Sequence, residues 1–158
     1  MTIPRVLFLC VVAFAAVPIM AQDKPADTNM QILLEKVKAD KKVVVAANMG
    51  LTEAEGQAFW PIYDSYQKDL QVVNARIKNT IYSYAEAYNK NALTDDAAQQ
   101  LTVENIENDL AELNLRRTYA ARLARVLPAK KVARYLQIES KIRAAIRFDL
   151  ATAIPLAP

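Results

Sequence analysis

Nine apolar residues between Phe59 and Tyr88 constrain this chain more than any other feature. Phe59, Tyr63, Tyr66, Leu70, Val73, Ile77, Ile81, Tyr84 and Tyr88 follow one another at steps of three or four. Such steps return to one side of an α-helix, whereas a strand requires steps of two. A helix from Glu53 to Tyr88 would be about 54 Å long. That exceeds the diameter of a compact domain of this size, so an elongated molecule is expected. Pro61 lies inside the stripe, removes one backbone bond and is expected to kink the helix near Gln57 to Trp60.

The flanking residues punctuate the chain into four helices. A first helix is expected from Met30 to about Asn48, with Ile32, Leu33, Val37, Val44 and Val45 as its rough apolar face and Gly50 suited to a left-handed cap. Leu51-Thr52-Glu53-Ala54-Glu55 starts the second. Thr52 can accept from a backbone N–H and Glu55 can reach back to the Thr52 N–H, which is a capping box. Asn89 to Leu93 breaks the pattern, and Thr94-Asp95-Asp96 starts the third helix. Its stripe reads Leu101, Val103, Ile106, Leu110, Leu113, Ala120, Leu123 and Leu127. The short connection lets it return along the second as an antiparallel hairpin. Pro128 ends that helix and suits the first position of a fourth, striped by Val132, Leu136, Ile142, Ile146 and Leu150 and closed by Pro155. Only two glycines in the chain, and little β-branched clustering, agree with helix nearly throughout.

The N-terminus reads as an export signal. Arg5 precedes the uncharged apolar run Val6 to Val17, and Pro18-Ile19-Met20-Ala21 ends on a small residue. That is the layout of a cleavable signal peptide over residues 1–21, with an apolar core too short to span a bilayer comfortably. Residues 22–29 are polar and expected to be disordered, and residues 30–154 form one helical domain. Cleavage would remove the single cysteine, Cys10, so the mature domain must hold together by apolar packing or by oligomerisation.

Charge is segregated along the chain. Residues 53–112 carry eleven acidic and four basic side chains, and residues 116–147 carry ten basic ones against Glu139 alone. One reading pairs the two blocks across ordinary surface salt bridges, each worth about 0–1 kcal/mol. The other presents a basic, partly apolar surface that attracts acidic or unfolded chains. No nucleic-acid motif is present, and no nucleic acid is expected as partner. The sequence contains no histidine. A Ser-His-Asp triad is therefore excluded for Ser65, Ser83 or Ser140, and zinc or copper sites lack their usual ligands. No glycine-rich phosphate cradle exists. Neither an enzyme activity nor a metal or other cofactor is expected.

Leu51-Thr52-Glu53-Ala54-Glu55, followed by Phe59-Trp60-Pro61-Ile62-Tyr63 and a later Leu127-Pro128 helix start, resembles the Spy/CpxP-type periplasmic proteins, also called LTXXQ-motif proteins. The resemblance extends over roughly Met30 to Leu150. Glu55 stands where the family pattern has Gln, and the two are equivalent for capping. The second motif is replaced by Leu127-Pro128-Ala129-Lys130-Lys131, which starts a helix without a polar cap. Some relatives sense metal through histidines, which this chain lacks. The resemblance implies a four-helix, all-α periplasmic protein, assembled as an intertwined antiparallel homodimer whose concave face holds client proteins without ATP.

The expected function is an ATP-independent periplasmic chaperone or envelope-stress adaptor. Arg122, Arg125, Arg134, Arg143 and Arg147 would line the client surface, with Tyr82 and Phe148 as apolar contacts. Its partners would be unfolded or envelope proteins. The alternative is a dedicated signalling partner of a membrane sensor or anti-sigma protein, and a third reading is a dimeric helical protein with no client.

Overall fold

The computed structural model describes residues 41–158. The expected signal peptide, the polar segment 22–29 and the expected helix up to Asp40, with Ile32, Leu33 and Val37, lie outside the described residues. Among the described residues every regular element is an α-helix. They are α1 over residues 41–49, then α2 (Glu53–Asn89), α3 (Asp95–Leu123) and α4 (Ala129–Ala153).

Local chemistry places each boundary. Gly50 takes φ of 56°, the left-handed conformation that glycine adopts at least cost. The Thr52 hydroxyl accepts from the Glu55 N–H, and Glu55 accepts in return from the Thr52 N–H, so the capping box forms in full. α2 then runs for 37 residues and passes through Pro61 unbroken. Thr94 caps α3 by accepting from the Ala97 N–H. Between them Asn91 turns the chain at φ of 50°. α3 stops at Leu123, a turn before the expected stop at Val126-Leu127, and Pro128 stands directly before α4 without a side-chain cap.

The core sits where α1, the start of α2, the end of α3 and the start of α4 meet. Val45 and Met49 of α1, Phe59, Tyr63, Tyr66 and Leu70 of α2, Tyr119 and Leu123 of α3, Leu127, and Val132 and Tyr135 of α4 are buried together. Val44, expected on the apolar face of the first helix, points outward instead. Aromatic rings dominate the cluster, and most meet edge to face. Phe59 and Tyr135 have centroids 5.2 Å apart, and Tyr66 and Tyr119 also 5.2 Å. This arrangement sets the positive ring edge against the negative face.

The α2 stripe behaves as its spacing demands near the core, where its first five members are buried, and then fades. Ile77, Ile81, Tyr84 and Tyr88 are only half-buried. α3 returns along α2: the Tyr119 hydroxyl donates to Asp69, and Asn108 donates to the Thr80 hydroxyl.

The α3 stripe is where expectation and structure part. Val103, Ile106, Leu110 and Leu113 are 46–57% exposed, while Asn108, Glu112 and Tyr119 are buried. The cause lies at the far end of the helix. Tyr119 and Leu123 are seated among the aromatic rings, and a rigid helix has one rotational setting. Leu110 is nine residues from Tyr119, which is about 180° of rotation at about 100° per residue. Burying Tyr119 therefore turns Leu110 to solvent. The inward positions are left to Asn108 and Glu112, whose polar atoms find partners there.

Candidate functional site

Four features outside the core could carry function: a charge ladder between α3 and α4, a groove beside it, and two exposed surfaces.

The ladder is built from α3 carboxylates and α4 guanidiniums. Glu112, buried, pairs with Arg143 and accepts from Arg147 at 2.9 Å. Arg147 also pairs with Asp109, and Arg116 donates to the Ser140 hydroxyl at 3.2 Å. Arg143 reaches the Tyr66 hydroxyl as well. Burial lowers the Arg143 pKa against the opposing pull of Tyr66. A guanidinium ordinarily titrates so high that it stays charged regardless. A second buried carboxylate, Glu139, is held by Lys41 at 2.8 Å and by the Gln67 amide at 3.1 Å. Its charge helps push neighbouring tyrosines upward. Burial is the main cause for Tyr66, which is raised to about 12, and Glu139 is the second. The same two causes raise Tyr63 and Tyr135 further.

A groove of about 350 Å³ opens beyond the core, with Ile77 and Ile81 of α2 on one wall and Ile142, Ile146 and Leu150 of α4 on the other. The charged groups in its lining are Lys41, Arg143 and Arg147 against Asp109, Glu112 and Glu139. Three cations meet three carboxylates, and they pair with one another, so the groove offers a ligand apolar walls but no surplus charge.

The residues expected to form a client surface lie in different surroundings. Arg122, Arg125 and Arg134 lie exposed around the turn between α3 and α4. Arg122 stacks over the Tyr119 ring at 4.6 Å. Arg117 and Lys130 are exposed close by, and no ion pair joins any of the five among the described residues. Val126 is exposed in the turn itself. Arg143, in contrast, is tied into the ladder, and Arg147 bridges Asp109 and Glu112. Phe148 is 69% exposed, but it lies fourteen residues from Arg134, about 21 Å along the helix. Tyr82 is on α2, with the Lys78 ammonium 5.0 Å from its ring centroid. Arg122, Arg125 and Arg134 thus lie exposed on the turn and the helix ends beside it, whereas Arg143 and Arg147 belong to the ladder, Phe148 lies further along α4 and Tyr82 lies on α2.

The second exposed surface is the outward ridge of α3, which spacing alone assigned to the core. The signal that could have found it is a competing phase through Leu101, Asn108, Glu112, Leu115 and Tyr119, equally regular but partly polar.

No family model, curated protein or solved structure matches the chain. No described helix is long and apolar enough to cross a membrane.

Proposed function

We propose that the protein is an exported, periplasmic, ATP-independent chaperone or envelope-stress adaptor of the Spy/CpxP type. It holds unfolded or partner proteins on a basic, partly apolar surface. The long helical hairpin and a homodimeric assembly belong to the same reading. The observation that carries it is that Arg117, Arg122, Arg125, Lys130 and Arg134, on the turn between α3 and α4 and the helix ends beside it, are exposed with no carboxylate partner among the described residues, and that the turn also exposes Val126. Cations that no carboxylate neutralises raise the local potential and draw in acidic segments of a non-native chain. The nearby apolar side chain offers contact once the segment arrives.

The test is light scattering from a disulfide-reduced, aggregating client with and without the purified protein. Suppression at stoichiometric amounts is expected. It should weaken as salt shortens the electrostatic range from about 10 Å at 0.1 M to about 3 Å at 1 M. The triple change Arg122→Glu, Arg125→Glu and Arg134→Glu should weaken it likewise. No suppression at stoichiometric protein would defeat the reading.

A further inference from the structure

The outward face of α3 carries an apolar seam that no other described element covers. Val103, Ile106, Leu110 and Leu113 are 54, 53, 46 and 57% exposed, and their steps of three, four and three are those of a coiled-coil seam. The seam covers about 15 Å of helix. A row of half-exposed large aliphatic side chains is costly in water and marks a surface that another element covers.

Its surroundings define the occupant. From Asp95 to Leu115 the helix holds six carboxylates, Asp95, Asp96, Glu104, Glu107, Asp109 and Glu112, and no Lys or Arg. Glu112 and Asp109 are matched by Arg143 and Arg147. Asp95, Asp96 and Glu107 are exposed and have no cation among the described residues. In heptad terms Val103 and Leu110 occupy a, Ile106 and Leu113 occupy d, Glu107 is e and Asp109 is g. Two copies pairing this ridge in parallel would set Asp96 against Asp96 and Arg117 against Arg117 at neighbouring a positions. In antiparallel pairing Glu107 would face Glu107 across the middle of the seam. Like charges at these positions disfavour a pair.

We propose that the α3 ridge is a docking site for an amphipathic helix of a partner protein, one with its own three-four apolar seam flanked by Lys and Arg. The ridge ends one helical turn before Arg117, where the exposed cations begin, so α3 passes from an acid-flanked apolar face to a basic one. A homodimer would then be built on faces other than this ridge.

The test uses a fluorescein-labelled 18-residue helical peptide with Leu at a and d and Lys at e and g. Its Glu-flanked twin is the control, and anisotropy with the purified protein is the readout. The Lys peptide should bind and the Glu peptide should not. Leu110→Asn, which leaves the charge unchanged, should weaken binding roughly tenfold or more. Glu107→Lys should also weaken it, and the Arg122, Arg125 and Arg134 changes should not. Equal binding of both peptides, or full binding to Leu110→Asn with its helical circular dichroism intact, would overturn the proposal. So would a dimer of the protein alone that becomes monomeric on Leu110→Asn, since a second copy would then be the occupant. Client suppression is read separately, so either surface can fail without the other.

Discussion

Raising the pH tests the aromatic core directly. Tyr63, Tyr66 and Tyr135 are almost wholly removed from solvent, and burial, followed by the Glu139 charge, raises all three hydroxyls; Tyr66 reaches about 12. In the unfolded chain a tyrosine releases its proton near pH 10. Above that value the unfolded state loses protons that the folded state keeps. Stability is therefore whole below about pH 10 and falls as pH rises, by up to about 1.4 kcal/mol per tyrosine per pH unit. Three tyrosines together remove roughly 4 kcal/mol by pH 11 and about 8 kcal/mol by pH 12, where Tyr66 begins to titrate in place. Set against a usual total of about 5–15 kcal/mol, this places alkaline unfolding at about pH 11 to 12. Urea unfolding followed by helical circular dichroism from pH 8 upward gives the slope, and tyrosinate absorbance gives the titration. Tyr135→Phe should flatten the slope by about 1.4 kcal/mol per pH unit. Tyrosinate absorbance that developed fully near pH 10, with stability unchanged, would mean that water reaches these hydroxyls and would refute the reasoning.

Two further predictions concern the polar network. Glu112→Ala leaves the Arg143 guanidinium buried without its carboxylate, and should cost about 3–5 kcal/mol in urea unfolding; a loss below about 1 kcal/mol would mean the ladder behaves as a surface pair. Glu55 is held below the usual carboxylate range chiefly by its hydrogen bond with Lys131, then by the Thr52 N–H. Its contribution is present at neutral pH and lost as pH falls through its lowered value. Glu55→Gln should thus be less stable than the parent at pH 7, with the gap closing below about pH 4.

Much of the fold could be read from short-range rules because the physics there is local. A capping box at Thr52 and Glu55 needs only four consecutive residues, and it formed. The break at Asn89 to Leu93 and the start at Thr94 are equally local. At Pro61 the loss of one hydrogen bond left open whether the helix would break, and the bonds on either side keep α2 continuous. The surface was least legible. Ten cations within residues 116–147 look like one basic face in the sequence. Arg143 and Arg147 instead meet Asp109 and Glu112 thirty or more residues earlier, a pairing that only the antiparallel course of α3 and α4 creates. The cations of this block that stay exposed without a carboxylate partner among the described residues are Arg117, Arg122, Arg125, Lys130, Arg134 and Lys141.

The rotation of α3 links these outcomes. Tyr119 fixes the helix by packing its ring against Tyr66 and giving its hydroxyl to Asp69. The same rotation carries Glu112 inward, where it would be a large cost without cations. Arg143 and Arg147 supply them, and so α4 acquires charged residues on the side that its stripe would leave apolar. On the opposite side of α3 four aliphatic residues are turned to water. Had α3 been set with those four inward, Tyr119 would face solvent, and the aromatic cluster would lose a ring that contacts Tyr66. A buried aromatic side chain is worth about as much as one or two aliphatic ones, so burying four aliphatics would outweigh Tyr119 alone. Leu123 turns inward with Tyr119, and Glu112 finds its guanidinium partners only in that setting. The outward ridge is thus the residue of a rotation chosen at the other end of the helix, and a helix that covered it would recover the apolar burial that the isolated chain forgoes.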